Sequence, residues 1–576
     1  MSSARGRLSQ SESVEISRHQ LAVLVPAIVL VLVVVLVVAF AIGGDRSRGS
    51  CTYEHRTRTV TCRTRQLLNI PVGVATAALE LHVEGRPGET LFSLLDRSNF
   101  TSLRRLRHLA LPGCGIDSIH DGAFSELAVL RRLELRDNRL RTLNEDMFAG
   151  MAELEYLGLS RNPIQRLHNF ALRGLNTQTL AFGDNPTLGH VACKAFAGAC
   201  VRNLILNRCN LSSICSSTFR TMRETLQEVH VTRNLQPLNV ADDVFDGMTL
   251  NAVTFSENGI VDVDFLERLS VEHIRLDGNP LNELDMEDFV DLKNTRTLAL
   301  NKTRITHLKR NDLSELKNIE TLNLSGNRFT SFRASDFTNN DNLVTLDLSG
   351  NRIDEFEGDF DDVLPNLEVL LLSGNDITTL PETVEPLFSR LRIVTLHDNP
   401  LHCNCEWRWF VVWTDRHRDA VPEAEKLRCH TPETRNFSEV LPEELLCRKP
   451  HILNATYDDA DGRLNCTAEG DPAPTVTWLE SGNKSISITR PRQGSVMTQG
   501  EVGVGKHGNY TCVAGNAVGE DHVDVDTSAI QRPGVKTTDD KSQMPKSRDV
   551  KILDTPLGLL LTAILIALLG YLFRYH

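Results

Sequence analysis

An α/β solenoid with disulfide-closed ends, followed by an all-β sandwich and bracketed by two hydrophobic helices, is the architecture this sequence predicts. Three observations carry it. A leucine motif recurs through residues 81–400 with a period close to 24, a Cys…Trp…Cys segment follows in 449–530, and a long apolar run stands near each terminus. At 576 residues the chain is too long for one compact core, so a repeat array with further domains is expected on length alone. A net charge of −13 lacks the basic excess of a nucleic-acid binder.

Residues 1–44 read as a signal peptide or a signal anchor. A polar segment with Arg5, Arg7 and Arg18 precedes the apolar run from Leu21 to Ile42. Ala39-Phe40-Ala41 has the small-x-small form of a cleavage site, whereas a run of about 22 residues exceeds the usual signal core and suits an anchor. Either reading sends the bulk of the chain into the secretory pathway. Thirteen cysteines suit an oxidising compartment. Nine Asn-x-Ser/Thr sequons, at Asn99, Asn210, Asn301, Asn323, Asn436, Asn454, Asn465, Asn483 and Asn509, predict a glycosylated surface.

The repeat is visible in "LRRLELRDNRLRTL", "LVTLDLSGNRIDEF" and "LEVLLLSGNDITTL". Its second leucine recurs from Leu109 through Leu133, Leu157, Leu180, Leu204, Val229, Val253, Ile274, Leu298, Leu322, Leu346 and Leu370 to Val394, about thirteen turns with the weakest register near 226–274. In L-x-L the leucines point inward and the x residues outward. One turn cannot bury its leucines alone, so stacked neighbours share a core. The Asn after each strand (Asn138, Asn162, Asn185, Asn327, Asn351, Asn375, Asn399) is placed to bond the backbone of adjacent turns. Cys114 and Cys209 occupy that same position as buried thiols. Phrases such as "DGAF" and "KAFAG" put a Phe under short helical or irregular segments on the convex side.

Open solenoid ends need caps. Residues 51–80 read as a hairpin closed by Cys51 and Cys62, which resembles the N-terminal flanking module of extracellular leucine-rich repeats with two of that module's four cysteines. Residues 401–448, with "HCNCEWRWFVVW", Cys429 and Cys447, resemble the C-terminal flanking module. That resemblance implies Cys403–Cys429 and Cys405–Cys447 bridges, with Trp407, Trp409, Phe410 and Trp413 forming a helix face over the last repeat. C-x-C with two later cysteines also suits zinc, but the aromatic helix and the secreted context favour disulfides. Register brings Cys193 and Cys215 onto neighbouring turns as a staple. Cys200 is then left as an odd thiol, free or intermolecular.

Beyond the repeats, Cys466, Trp478 and Cys512 have the spacing of an immunoglobulin sandwich, with Tyr510 at its tyrosine corner. The usual Asp before that corner is replaced around His507-Gly508, and the short span from Trp478 to Tyr510 predicts few strands. Residues 531–556 are polar and read as a stalk. Residues 557–573 read as a transmembrane helix at the lower edge of the span length, with a minimal tail at 574–576. The alternative is a lipid-anchor signal with attachment near Asp540.

Together these features resemble the leucine-rich-repeat/immunoglobulin single-pass surface proteins, of which the LINGO and AMIGO families and the netrin-G ligands are examples. The resemblance implies a plasma-membrane protein with an extracellular bulk. It also implies protein–protein recognition in adhesion or co-reception, homophilic association included, without autonomous intracellular signalling. Innate recognition of microbial ligands and lipid-anchored ligand presentation are the alternatives. No nucleophile, metal-ligand or phosphate-loop motif points to an enzyme or a cofactor. Within the concave face the ligand is expected at the N-terminal half, where Arg132, Arg136, Tyr156 and Arg161 are expected at outward strand positions free of sequons. Arg and Tyr are enriched at hot spots, and sequons at Asn301 and Asn323, on outward positions of adjacent strands, crowd the other half.

Overall fold

The computed structural model describes residues 51–528, apart from 63–75, 86–89, 283–288, 290, 309–312, 432–433, 482–483, 492–495 and 505–506. The two terminal hydrophobic runs, the stalk and Asn483 lie outside the described residues. Among the described residues no helix is long and apolar enough to cross a membrane.

The repeats build one 16-stranded sheet. Most strands span about three residues, as in Arg132–Glu134, Thr321–Asn323 and Thr345–Asp347. They pair in parallel with the second leucine opposite the second leucine: Leu109 with Leu133, Leu133 with Leu157, and Leu346 with Leu370. The alternation follows from the strand's period of two, so Leu133, Leu157 and Leu322 are buried and their flanking residues face the concavity. The weak register near 226–274 costs no strand, since Val229, Val253 and Ile274 pair in the same line.

The Asn ladder runs inside the turns. Asn162 Nδ2 donates to the carbonyls of Leu135 and Leu159 at 3.0 Å each, and its Oδ1 accepts from Leu140 N at 3.1 Å. These are backbone groups that a curved stack would otherwise bury unpaired. Asn258, Asn279 and Thr303 continue the ladder where the sequence pattern is weak: Asn279 Nδ2 donates to Phe255 O at 2.8 Å and Thr303 Oγ1 to Leu300 O at 2.7 Å. Cys114 and Cys209 take the place of Asn with two long contacts each from sulfur, Cys114 to Val83 O at 3.3 Å and Pro112 O at 3.7 Å, Cys209 to Phe182 O at 3.6 Å and Asn207 O at 3.7 Å. Burial pushes both thiols up to about 12.

A second ladder, not anticipated from sequence, lies one residue before the first apolar position of three C-terminal repeats. Asn318, Asn342 and Asn366 each donate Nδ2 to the carbonyl of Lys293, Lys317 and Asp341 on the preceding turn, at 2.7–2.9 Å. The convex side stacks Phe100 on Phe124 and Phe124 on Phe148 at centroid distances of 5.3 and 6.2 Å. Among the described residues the solenoid outside the main sheet is made of turns, 3₁₀ segments and four short parallel strand pairs, and the α-helices are Glu385–Phe388 and Arg408–Arg416. Among the described residues the α part of the expected α/β class therefore lies at the C-terminal end of the solenoid.

At the front, Cys51–Glu54 and Thr59–Cys62 form an antiparallel hairpin joined by the Cys51–Cys62 disulfide. The second strand runs parallel to Glu80–Val83, so the cap is continuous with the repeat sheet. At the back, bridges join Cys403 to Cys429 and Cys405 to Cys447. Trp407 and Phe410 are fully buried, and the indole N–H groups of Trp407 and Trp409 donate to Thr378 O and Leu380 O at 2.9 and 3.0 Å. The cap thus covers apolar core and also satisfies carbonyls of the final turn. Cys193 is bonded to Cys215, and Cys200 is an exposed free thiol.

The sandwich has seven strands in two sheets, of three and four. Trp478 is fully buried beside the Cys466–Cys512 bridge. At the corner, where an Asp is missing, Thr527 takes over: Gly508 N donates to Thr527 Oγ1 at 2.8 Å, and His507 Nδ1 lies 3.0 Å from Thr527 O. The sandwich meets the C-terminal cap through Asp471, whose Oδ1 accepts from Asn404 Nδ2 at 3.0 Å and lies 2.9 Å from His402 Nε2.

Candidate functional site

The residues expected to bind a partner line one hollow of about 580 Å³ on the concave face near its N-terminal end. Arg132 and Tyr156 are register partners on adjacent strands. Their side chains meet across the pleat, with the guanidinium carbon 3.9 Å from the ring centroid. Between them sits Glu134, an outward residue of the Arg132 strand whose side chain is only 13% exposed. It has room because the next strand carries Gly158, where a Cβ would collide with the Glu134 carboxylate. Arg132 Nη2 reaches Glu134 Oε2 at 3.4 Å.

Burial pushes the Glu134 carboxyl above its ordinary range, against the pull of Arg132 and Arg136. Burial, with the Glu134 charge beside it, also raises the Tyr156 phenol. On the hairpin side of the hollow, burial works against the Glu80 carboxylate, but hydrogen bonds from Thr59 and His108 and the His108 charge outweigh it and hold the group below its ordinary value. His108 Nδ1 lies 2.9 Å from Glu80 Oε1.

Arg136 and Arg161 differ from expectation. The strands end at Glu134 and Gly158, so neither arginine occupies an outward position of a strand. Arg161 lies in the following turn with φ 54°, next to Asp137 at φ 61°. Arg161 Nε reaches Asp137 Oδ1 at 3.2 Å, and the pattern continues along the rim with Arg208–Asp184 at 2.7 Å and Arg233–Glu257 at 3.0 Å. Asn301 likewise falls two residues beyond its strand, whereas Asn323 is inside one. Sequence reasoning missed Glu134, Glu80 and His108. The signal for Glu134 was present as a carboxylate between two arginines with glycine at the matching place of the next repeat.

The remaining sequon asparagines are distributed around both domains. Asn99, Asn454 and Asn509 are exposed, and Asn210, Asn436 and Asn465 are half-buried.

Chemically, the hollow offers three arginines (Arg132, Arg136 and Arg161), two histidines, the Tyr156 ring and four carboxylates, of which Glu134 is shielded. That mixed-charge set suits recognition of a polar surface.

The comparisons agree with this architecture. The leucine rich repeat family matches residues 95–164, 269–329 and 318–377, and the BspA type leucine rich repeat region matches 160–261. The immunoglobulin domain family matches 449–516. Leucine-rich repeat and fibronectin type-III domain-containing protein 4 of Rattus norvegicus is 31% identical over 188 residues, 29% of this chain and 28% of that protein. Protein 2 of the same series in Homo sapiens is 29% identical over 163 residues, 26% of this chain and 20% of that protein. The match thus spans between a fifth and somewhat over a quarter of these relatives. Among solved structures, the TLR13–ssRNA13 complex aligns at a TM-score of 0.53 and 22% identity, over 66% of this chain and 58% of that one, a likeness of fold alone.

Proposed function

Because this chain is a leucine-rich-repeat and immunoglobulin-domain protein, we propose that it acts at the cell surface in adhesion or co-reception. Its ligand, another extracellular protein or surface receptor, docks on the front half of the concave sheet. The apolar run 557–573 holds the molecule at the plasma membrane. The observation that carries the site is the Arg132–Tyr156 stack above the shielded Glu134. Arg and Tyr are the residue types that dominate binding energy when packed and partly desolvated. Here they are pre-set against each other, so less side-chain freedom is lost on docking.

The test is a screen of the displayed full chain against a panel of surface ectodomains, glycans and lipids. Charge reversal at Arg132, Arg136 and Arg161 then follows. The expected result is capture of a protein ligand that the triple variant loses while surface display stays normal. Intact binding by the variant would retire this site, and capture of glycans or lipids alone would favour microbial recognition instead.

A further inference from the structure

Across the C-terminal half of the concave sheet the outward strand residues form a pad of little charge, and the Arg296–Glu320 and Arg392–Glu368 ion pairs border it. Thr297, Thr321, Thr345, Val369 and Ile393 stand in register across five strands, and Ile393 is 38% exposed. The parallel row contains Asn323 flanked by Ala299 and Asp347, and Asp347 is the one charge in it. A single strand at the front, by contrast, presents both Arg132 and Glu134.

Asn323 stands in the middle of this pad within the sequon Asn323-Leu324-Ser325. Its Oδ1 accepts from Ser325 N at 2.9 Å and from Ser325 Oγ at 2.7 Å. The carbonyl end of the amide is thereby turned back onto its own chain, and Nδ2 is the end left toward the concavity. The next turn repeats the arrangement with Asp347 and Ser349, at 3.0 and 2.6 Å, so the geometry belongs to the repeat and Asn323 alone puts an amide there. Asn436 is different, since its Nδ2 already donates to Glu439 Oε1 at 2.8 Å.

We propose that Asn323 carries an N-linked glycan whose first sugars lie on the Thr321, Thr345 and Val369 pad, so that the chain's own carbohydrate covers this half of the concave face. The inference rests on the secretory reading of the chain. In the transfer, Nδ2 bonds to C1 of a polyprenyl-diphosphate oligosaccharide. The C1–O bond breaks, the polyprenyl diphosphate leaves with the bonding pair, and the amide proton passes to a base. The pad suits the product. Threonine and valine methyls meet the C–H faces of pyranose rings and the N-acetyl methyl, and threonine hydroxyls meet sugar hydroxyls. Half-buried Val369 and the exposed Ile393 add apolar surface beside the threonines.

The full chain, expressed in secretory cells, is analysed by mass spectrometry for occupancy at each sequon, and glycan release is followed on folded and denatured protein. The expected result is an occupied Asn323 whose glycan leaves the folded protein about tenfold or more slowly than those on Asn454 and Asn509, with equal rates after denaturation. An empty Asn323 beside an occupied Asn509 overturns the proposal, as do equal rates on the folded chain. If every sequon is empty, the secretory reading falls together with it. Asn323→Gln should still reach the surface and should bind a hydrophobic dye several-fold more strongly; unchanged dye binding by a well-folded variant counts against a seated glycan.

Discussion

Arg132 lies over the ring of Tyr156 with its guanidinium carbon 3.9 Å from the ring centroid, although the two residues are 24 positions apart and touch only because the repeat brings them into register. A double-mutant cycle on ligand binding tests what that contact does. Tyr156→Phe keeps the ring and should bind nearly as the parent does. Tyr156→Leu and Arg132→Met should each weaken binding, with a coupling of roughly 0.5–1 kcal/mol between them. Additive losses would mean that the two side chains act separately.

Glu134 sets a pH dependence. Its folded-state carboxyl stands above the ordinary range because burial outweighs its arginines, so its favourable contribution is fully present below the unfolded value and is lost as pH rises through the folded one. Glu134→Gln removes that loss. The variant should therefore melt above the parent at neutral pH, and the gap should close as pH falls into the mildly acidic range. Thermal melts at a series of pH values read this directly. A gap that widens on acidification contradicts the assignment.

Asn162→Ala deletes two donated bonds and one accepted bond in the buried ladder. The stranded backbone groups should cost roughly 3 kcal/mol. Cys114→Ala, which removes two long, weak sulfur contacts and little volume, should cost about 1 kcal/mol or less. Urea titrations of the two variants should separate clearly in midpoint.

Three thiols are free, and one of them is exposed. Burial holds Cys114 and Cys209 near 12, so neither offers thiolate at neutral pH. A maleimide applied to the folded, unreduced chain should label Cys200 alone, and denaturation without reductant should raise the count to three. Rapid labelling of Cys114 or Cys209 in the folded chain would show that the ladder opens there.

The solenoid was legible because a period of about 24 leaves few alternatives. The strand line from Leu109 to Val394 could be drawn residue by residue even where the consensus thinned at Val229 and Val253. The ladder was read only where the residue was Asn in a strong motif; Thr303 was missed because a hydroxyl does half of the same work, and Asn258 and Asn279 because their turns scan poorly. The outer ladder of Asn318, Asn342 and Asn366 was in plain view in "KNIETL", "DNLVTL" and "PNLEVL". A surface asparagine reads as solvated until its carbonyl partner one turn away is known. Side-chain pairing at the candidate site was less visible. The arginines stood out, but the space that shelters Glu134 depends on Gly158, a residue that carries no chemistry of its own.

The Cys193–Cys215 bridge also has a mechanical meaning. Stacked turns held by strands about three residues long separate one after another when pulled along the stack. In the proposed arrangement, with the ligand on the front turns and the far end held at a membrane, a pull loads the stack lengthwise. Turns peeled from the front lengthen the chain until tension reaches the bridge, and the residues between its two cysteines cannot unspool. The staple therefore withholds that one segment from the extension, while the load passes through the bridge to the turns behind it.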